Sequence, residues 1–138
     1  MAETETGFPR RDAHGRMIAL PDLLGVAVAG WVIGVLALVL FDGGLALLGA
    51  GEFGRANGWL AVILPVWLFI DEFRAWRGGT HRVLVALVAA GVAITSGLLA
   101  AGLTAAWPPL ASGAVAAAVF TVGYALIWFH GVRWLARS

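Results

Sequence analysis

The chain has 138 residues, 61% hydrophobic and 12% charged, with a mean hydropathy of +0.90. Soluble domains carry roughly 45–50% apolar and about 25% charged residues, and a globule this small leaves much of its surface in water. These totals exclude a disordered chain, a secreted disulfide scaffold and an ordinary soluble enzyme; they point to a membrane protein whose first partner is the lipid bilayer. A formal net charge of +1 supplies no field to attract nucleic acid. Cysteine is absent, which removes thiol nucleophiles, thiolate metal sites and iron–sulfur clusters.

Residues 1–20 are polar, with Gly7, Pro9 and several charges, and read as a cytoplasmic tail. Arg10 and Arg11 suggest a twin-arginine export signal, but Asp12 and Ala13 stand where such signals are apolar, and no clear cleavage site follows. Residues 21–138 read as one transmembrane domain. A membrane helix needs about 20 mostly apolar residues, and four segments approach that length. They lie at about 23–41, closed by Asp42, Gly43 and Gly44; at 58–76, with Pro65 inside; at 82–107, stopped by Pro108 and Pro109; and at 110–134. The fold class is therefore all-α, an integral membrane four-helix bundle. The last two spans, joined by a very short link, should form an antiparallel hairpin.

The arginines set the orientation. Arg10, Arg11, Arg16, Arg74, Arg77, Arg82, Arg133 and Arg137 fall on one side if the spans alternate, and only Arg55 on the other. Both termini are accordingly expected in the cytoplasm. Trp59 and Trp107 mark the outer boundary and Trp76 and Trp134 the inner one, while Trp31, Trp67 and Trp128 lie deeper and should pack between helices.

Small residues predict where backbones approach closely in lipid. The third span carries Ala89, Ala93, Gly97, Ala101 and Ala105 at a spacing of four. The first has Gly30 and Gly34, and the fourth Gly113 and Ala117. Either these stripes seal a single bundle or one of them faces a second copy or a partner protein. Three such faces in one small chain tilt the expectation towards association.

The run 49–54 matches G-x-G-x-x-G, and Asp71 follows at about the spacing of a dinucleotide-binding fold. A membrane-length helix precedes the motif and Pro65 interrupts the helix after it, so no nucleotide is expected. The outer loop, 42–57, could instead hold a short surface helix built on Leu45, Leu47 and Leu48.

Asp71 and Glu72 are more informative, because a full-length second helix must carry both acids below the inner interface. Ionised side chains at that depth are costly and are usually paired or turned towards a cavity. Neighbouring residues point about 100° apart on a helix, so one acid can face the bundle while the other reaches the interface. Arg74 is placed to pair locally with Asp71. His130 and Arg133, and His81 at the start of the third span, arrive on the same side. The set Asp71, Glu72, Arg74, His81, His130 and Arg133 can be a structural ion pair, with Arg133 taking one acid. The second reading, after the ion pair, is a proton or ion site; a metal site lacks any recognisable ligand spacing. The two histidines begin at different depths, which argues against haem. Thr95 and Ser96 have no base at their level for hydrolase chemistry, and Tyr124 needs a hydroxyl partner.

No nucleophile or cofactor motif stands out, so neither cofactor nor metal is assigned. The leading reading is a non-enzymatic accessory or scaffold subunit of a homo-oligomer or larger membrane complex. The second is a small oligomeric transporter or channel using the Asp/Glu/His cluster; the third is a membrane enzyme acting on lipid at the inner interface.

Overall fold

The computed structural model describes residues 11–13, 15–49, 55–76 and 81–136. Among them every regular element is helical. Helix α1 runs Leu20–Leu47, α2 is the single turn Arg55–Gly58, and a 3-10 turn, Trp59–Val62, leads into α3, Ile63–Ala75. Helices α4, Arg82–Leu103, and α5, Pro109–Ala136, complete the chain.

Three helices (α1, α4 and α5) are long and apolar enough to cross a membrane. The second predicted span is helical over 55–75 but broken in its middle. Pro65 has no N–H to give Ala61, and its ring crowds that carbonyl, so the turn before it tightens to 3-10. The regular α-helix of this span, Ile63–Ala75, has 13 residues, about 20 Å at 1.5 Å per residue and shorter than the span expected at 58–76. Only with the preceding turns does the path along the chain reach about 33 Å, against a hydrocarbon thickness of roughly 30 Å.

Two boundaries differ from those the sequence suggested. The glycines Gly43 and Gly44 do not end α1, which continues to Leu47. Each glycine costs a helix about 1 kcal/mol, but an unpaired peptide in a water-poor medium costs more, so the helix runs on. It stops where Gly49 takes φ +69° and its N–H returns to the Ala46 carbonyl at 3.2 Å, a left-handed helix end that glycine alone adopts freely. Residues 42–47 thus belong to α1 rather than to a loop, and 50–54, most of the glycine motif, lie outside the described residues. Helix α4 ends at Leu103, not near Trp107. The turn after it is clipped by side chains: the Thr104 and Ser112 hydroxyls lie 2.8 Å apart, and Ser112 Oγ also donates to the Ala101 carbonyl at 3.3 Å. Ala105 is therefore in the turn and exposed.

Helix α5 is the centre. Half of its apolar window is buried (50%), against 22% in both α1 and α4, and it touches α1, α2, the 3-10 turn, α3 and α4. The α4–α5 hairpin is antiparallel: Gly97 meets Ala116, Gly123 meets Ala93 and Gly131 meets Val85. α3 runs parallel to α5, with Gly58 against Gly113 and Phe73 near Trp128.

The small-residue faces are used inside the chain. Gly30 receives Leu64 and Pro65, and Gly34 receives the Ala61 backbone, so the GxxxG face of α1 seats the proline bend. Ala89, Ala93, Gly97 and Ala101 are buried, with Gly97 accommodating the Trp59 ring. Gly113 and Ala117 are buried as well, Gly113 beneath Gly58. Of the tryptophans expected between helices, Trp128 is fully buried and Trp31 donates to the Ala114 carbonyl at 2.9 Å. Trp67 is not: it is 66% exposed, on the face of α3 that turns away from α5.

Candidate functional site

Arg11, Arg16, Arg74, Arg82 and Arg133 all come to the end of the bundle where α1 and α4 begin and α3 and α5 finish. Arg77 and Arg137 lie outside the described residues. Helix α3 leaves its last carbonyls without intrahelical partners, as every helix does. Two of them are taken by arginines. Arg16 Nε donates to the Ala75 carbonyl at 3.1 Å and Arg82 Nη1 to the Phe73 carbonyl at 3.0 Å. Cations at a helix C-terminus also complement its dipole.

The segment before α1 folds back onto this end. Gly15, at φ +82°, allows a tight turn in which Arg16 N donates to Asp12 Oδ1 at 3.0 Å, and Arg11 pairs with Met17 in an isolated antiparallel bridge. The turn presents Met17 to the bundle, where its side chain is fully buried with Leu23, Trp76 and Trp128.

Glu72 lies directly beneath, also fully buried. Its Oε1 accepts from the Met17 N–H at 3.3 Å, and its Oε2 from the indole N–H of Trp76, one turn further along α3, at 3.2 Å. Arg133 of α5 closes the arrangement, donating to the Met17 carbonyl and to its own helix at the Phe129 carbonyl, 3.3 Å away. The two faces of the Met17 backbone are thus held by an acid and a base. Arg133 also attracts Glu72 electrostatically across the Met17 backbone that both hold. Aromatic rings complete the packing: Arg16 lies 4.0 Å over Trp76 and Arg133 3.7 Å over Phe129, both within cation–π range.

This clasp unites Glu72 and Arg133 of the six residues singled out by sequence. Asp71, Arg74, His81 and His130 are all exposed, and His130 stands edge-on to Phe129. Helical geometry explains the split between the adjacent acids, since Glu72 follows the buried side of α3, with Leu68 and Phe69, while Asp71 turns outward. No cluster of three or more metal-ligating side chains occurs among the described residues. Thr95 bonds back to the Gly91 carbonyl at 2.8 Å.

Sequence reasoning missed Arg16, Met17 and the donor role of Trp76, which it had placed at the interface. The available signal was the apolar run Met17, Ile18, Ala19, Leu20 ahead of Pro21, together with Asp12 and Gly15 at turn spacing. It also missed Gly58, which among the described glycines lies closest to the main chain of another helix.

No protein-family model, curated protein or solved structure matches the chain.

Proposed function

We propose that the protein is a multi-pass protein of the cell membrane, with both termini cytoplasmic, acting as a non-enzymatic accessory or scaffold subunit of a homo-oligomer or larger membrane complex. The observation that carries this reading is the clasp. Both oxygens of Glu72 are occupied by protein N–H donors, Arg133 is bound to the Met17 carbonyl, and the other four residues of the cluster are exposed. A coupled carrier needs its acid to meet protons or ions from alternate sides, with exchanging groups beside it. Here the acid fastens the pre-helical segment and α3 to α5, a task of assembly.

The gathering of arginines at one end supports a cytoplasmic assignment for that end. The 33 Å reach of the broken helix supports a fourth crossing beside the three long ones. The outer faces of α1 and α4, rich in exposed Val, Ile and Leu, are available to lipid and to neighbouring proteins.

The test is purification from native membranes in mild detergent, followed by identification of everything that co-purifies, and flux assays in liposomes. A stable homo-oligomer or a defined complex is expected, with proton flux no greater than in empty vesicles. A lone monomer with no companion sinks the scaffold reading. Proton flux that disappears in Glu72→Gln would establish the carrier instead.

A further inference from the structure

Helices α3, α4 and α5 together line an open groove. It encloses about 310 Å³ and is lined by Val66, Phe69, Ile70, Phe73, Ala90 and the α5 residues Phe120 and Tyr124. The four α3 residues are spaced i, i+3, i+4, i+7, so the groove follows the helix for about 10 Å. Its walls are apolar, with one exception.

Tyr124 is more than nine-tenths buried, at 8% exposure, with its ring stacked 4.3 Å from Phe69. Among the described residues its hydroxyl has no hydrogen-bond partner and is not sealed in the core, where the unpartnered polar atom is the Trp128 indole nitrogen, so the phenol O–H is open to a partner from outside the chain. At the mouth stands Arg82. Its guanidinium lies 4.2 Å over the Phe73 ring and gives Nη1 to the Phe73 carbonyl; among the described residues its other N–H donors make no further hydrogen bond. The acid closest in sequence to this face, Asp71, points about 150° away from it on the helical wheel.

An apolar slot with a cation at its mouth and a hydroxyl one helical turn deeper, about 6 Å, is complementary to one kind of molecule. We propose that the groove is a binding site for an anionic glycerophospholipid. One acyl chain lies along α3, the phosphate sits on Arg82, and an ester carbonyl accepts from the Tyr124 hydroxyl. Basic pockets between membrane helices recognise anionic headgroups in this way, and arginine suits the planar, two-point contact that phosphate offers. The inference needs only membrane residence from the proposed function and is independent of the scaffold role.

Native mass spectrometry of the purified protein, delipidated and then titrated with palmitoyl-oleoyl phosphatidylglycerol or phosphatidylcholine, tests it. The wild type should retain one phosphatidylglycerol at least about tenfold more strongly than phosphatidylcholine. Arg82→Gln should abolish that preference, and Tyr124→Phe should weaken retention of both lipids about threefold. Ala90→Phe should block the slot and remove bound lipid, while detergent melting and elution volume report that the fold is kept. Equal retention of the two lipids by the wild type overturns the proposal, as does unchanged preference in folded Arg82→Gln. So does a lipid-free dimer broken by Ala90→Phe, which would give the groove to a second copy of the chain. Because retention of lipid and co-purification of protein are separate readouts, either proposal can fail alone.

Discussion

The two ends of the bundle are held by different means. At the end where α2 meets the start of α5, main chains touch. Gly58 faces Gly113 and Ala114, Gly34 faces Ala61, and Gly97 yields room to Trp59. At the other end α4 and α5 stay close, with Gly131 against Val85, but around α3 the packing is made by large rings (Phe69, Phe73, Tyr124, Trp128) and by the Met17 turn with Glu72 and Arg133. Close backbone approach gains dispersion without any polar group to satisfy. The open end buries polar groups, Glu72 with both oxygens partnered and Trp128 with an indole N–H that has no partner among the described residues, so each partner it does have counts. The first arrangement is intolerant of added volume, the second of lost partners.

The largest effect is expected from adding volume at the tight end. A Cβ on Gly58 would stand 2.6 Å from Ala114 N and from the Leu110 carbonyl oxygen, main-chain atoms that cannot rotate aside. Gly58→Ala should destabilise by about 3 kcal/mol, read as detergent-induced unfolding. Gly34→Ala, with its nearest atom at 3.1 Å, should cost about 1 kcal/mol. If the two prove equal, the tight end is more yielding than its geometry implies.

Next comes loss of a partner at the open end. Glu72→Ala orphans the Trp76 and Met17 N–H groups and leaves Arg133 without its counter-charge. Removing one member of a buried pair costs about 3–5 kcal/mol, but Arg133 is only half-buried, so about 2 kcal/mol is expected. A double-mutant cycle with Arg133→Ala should return a coupling near 1 kcal/mol; zero coupling would mean that the Met17 backbone, not the opposing charges, organises this end. The hairpin clip is smaller. Thr104→Val, which loses the hydroxyl to Ser112, should cost about 1 kcal/mol. Smallest of all, Asp71→Asn combined with His130→Gln should change stability by less than about 0.5 kcal/mol, since both side chains are exposed.

What could be read from sequence divides along the same line. Hydropathy located the helices because burial in lipid is a property of long windows, and a spacing of four located Ala89, Ala93, Gly97 and Ala101 because one helix repeats its own face. Gly43 and Gly44 misled, since a glycine pair stops a helix in water more readily than in an apolar medium. Trp67 misled because an indole reads as buried wherever it falls, while its direction depends on how Pro65 turns the helix. Within the predicted cluster, spacing alone could say that one of two adjacent acids faces inward, not which. Choosing Glu72 required knowing that Met17 returns from 55 residues away, a contact that no local pattern encodes.

That same return sets an order of events during synthesis. The Met17 carbonyl meets Arg133 across 116 residues, and chains emerge N-terminal end first. The clasp cannot close until all the helices have been made and α5 has taken its place. Until then Glu72 can meet the Met17 N–H and the Trp76 indole, but Arg133 is out of reach. A chain lacking α5 leaves the Met17 carbonyl without its guanidinium and Glu72 without its neighbouring cation, so this end of the bundle is the last part of the fold to be completed.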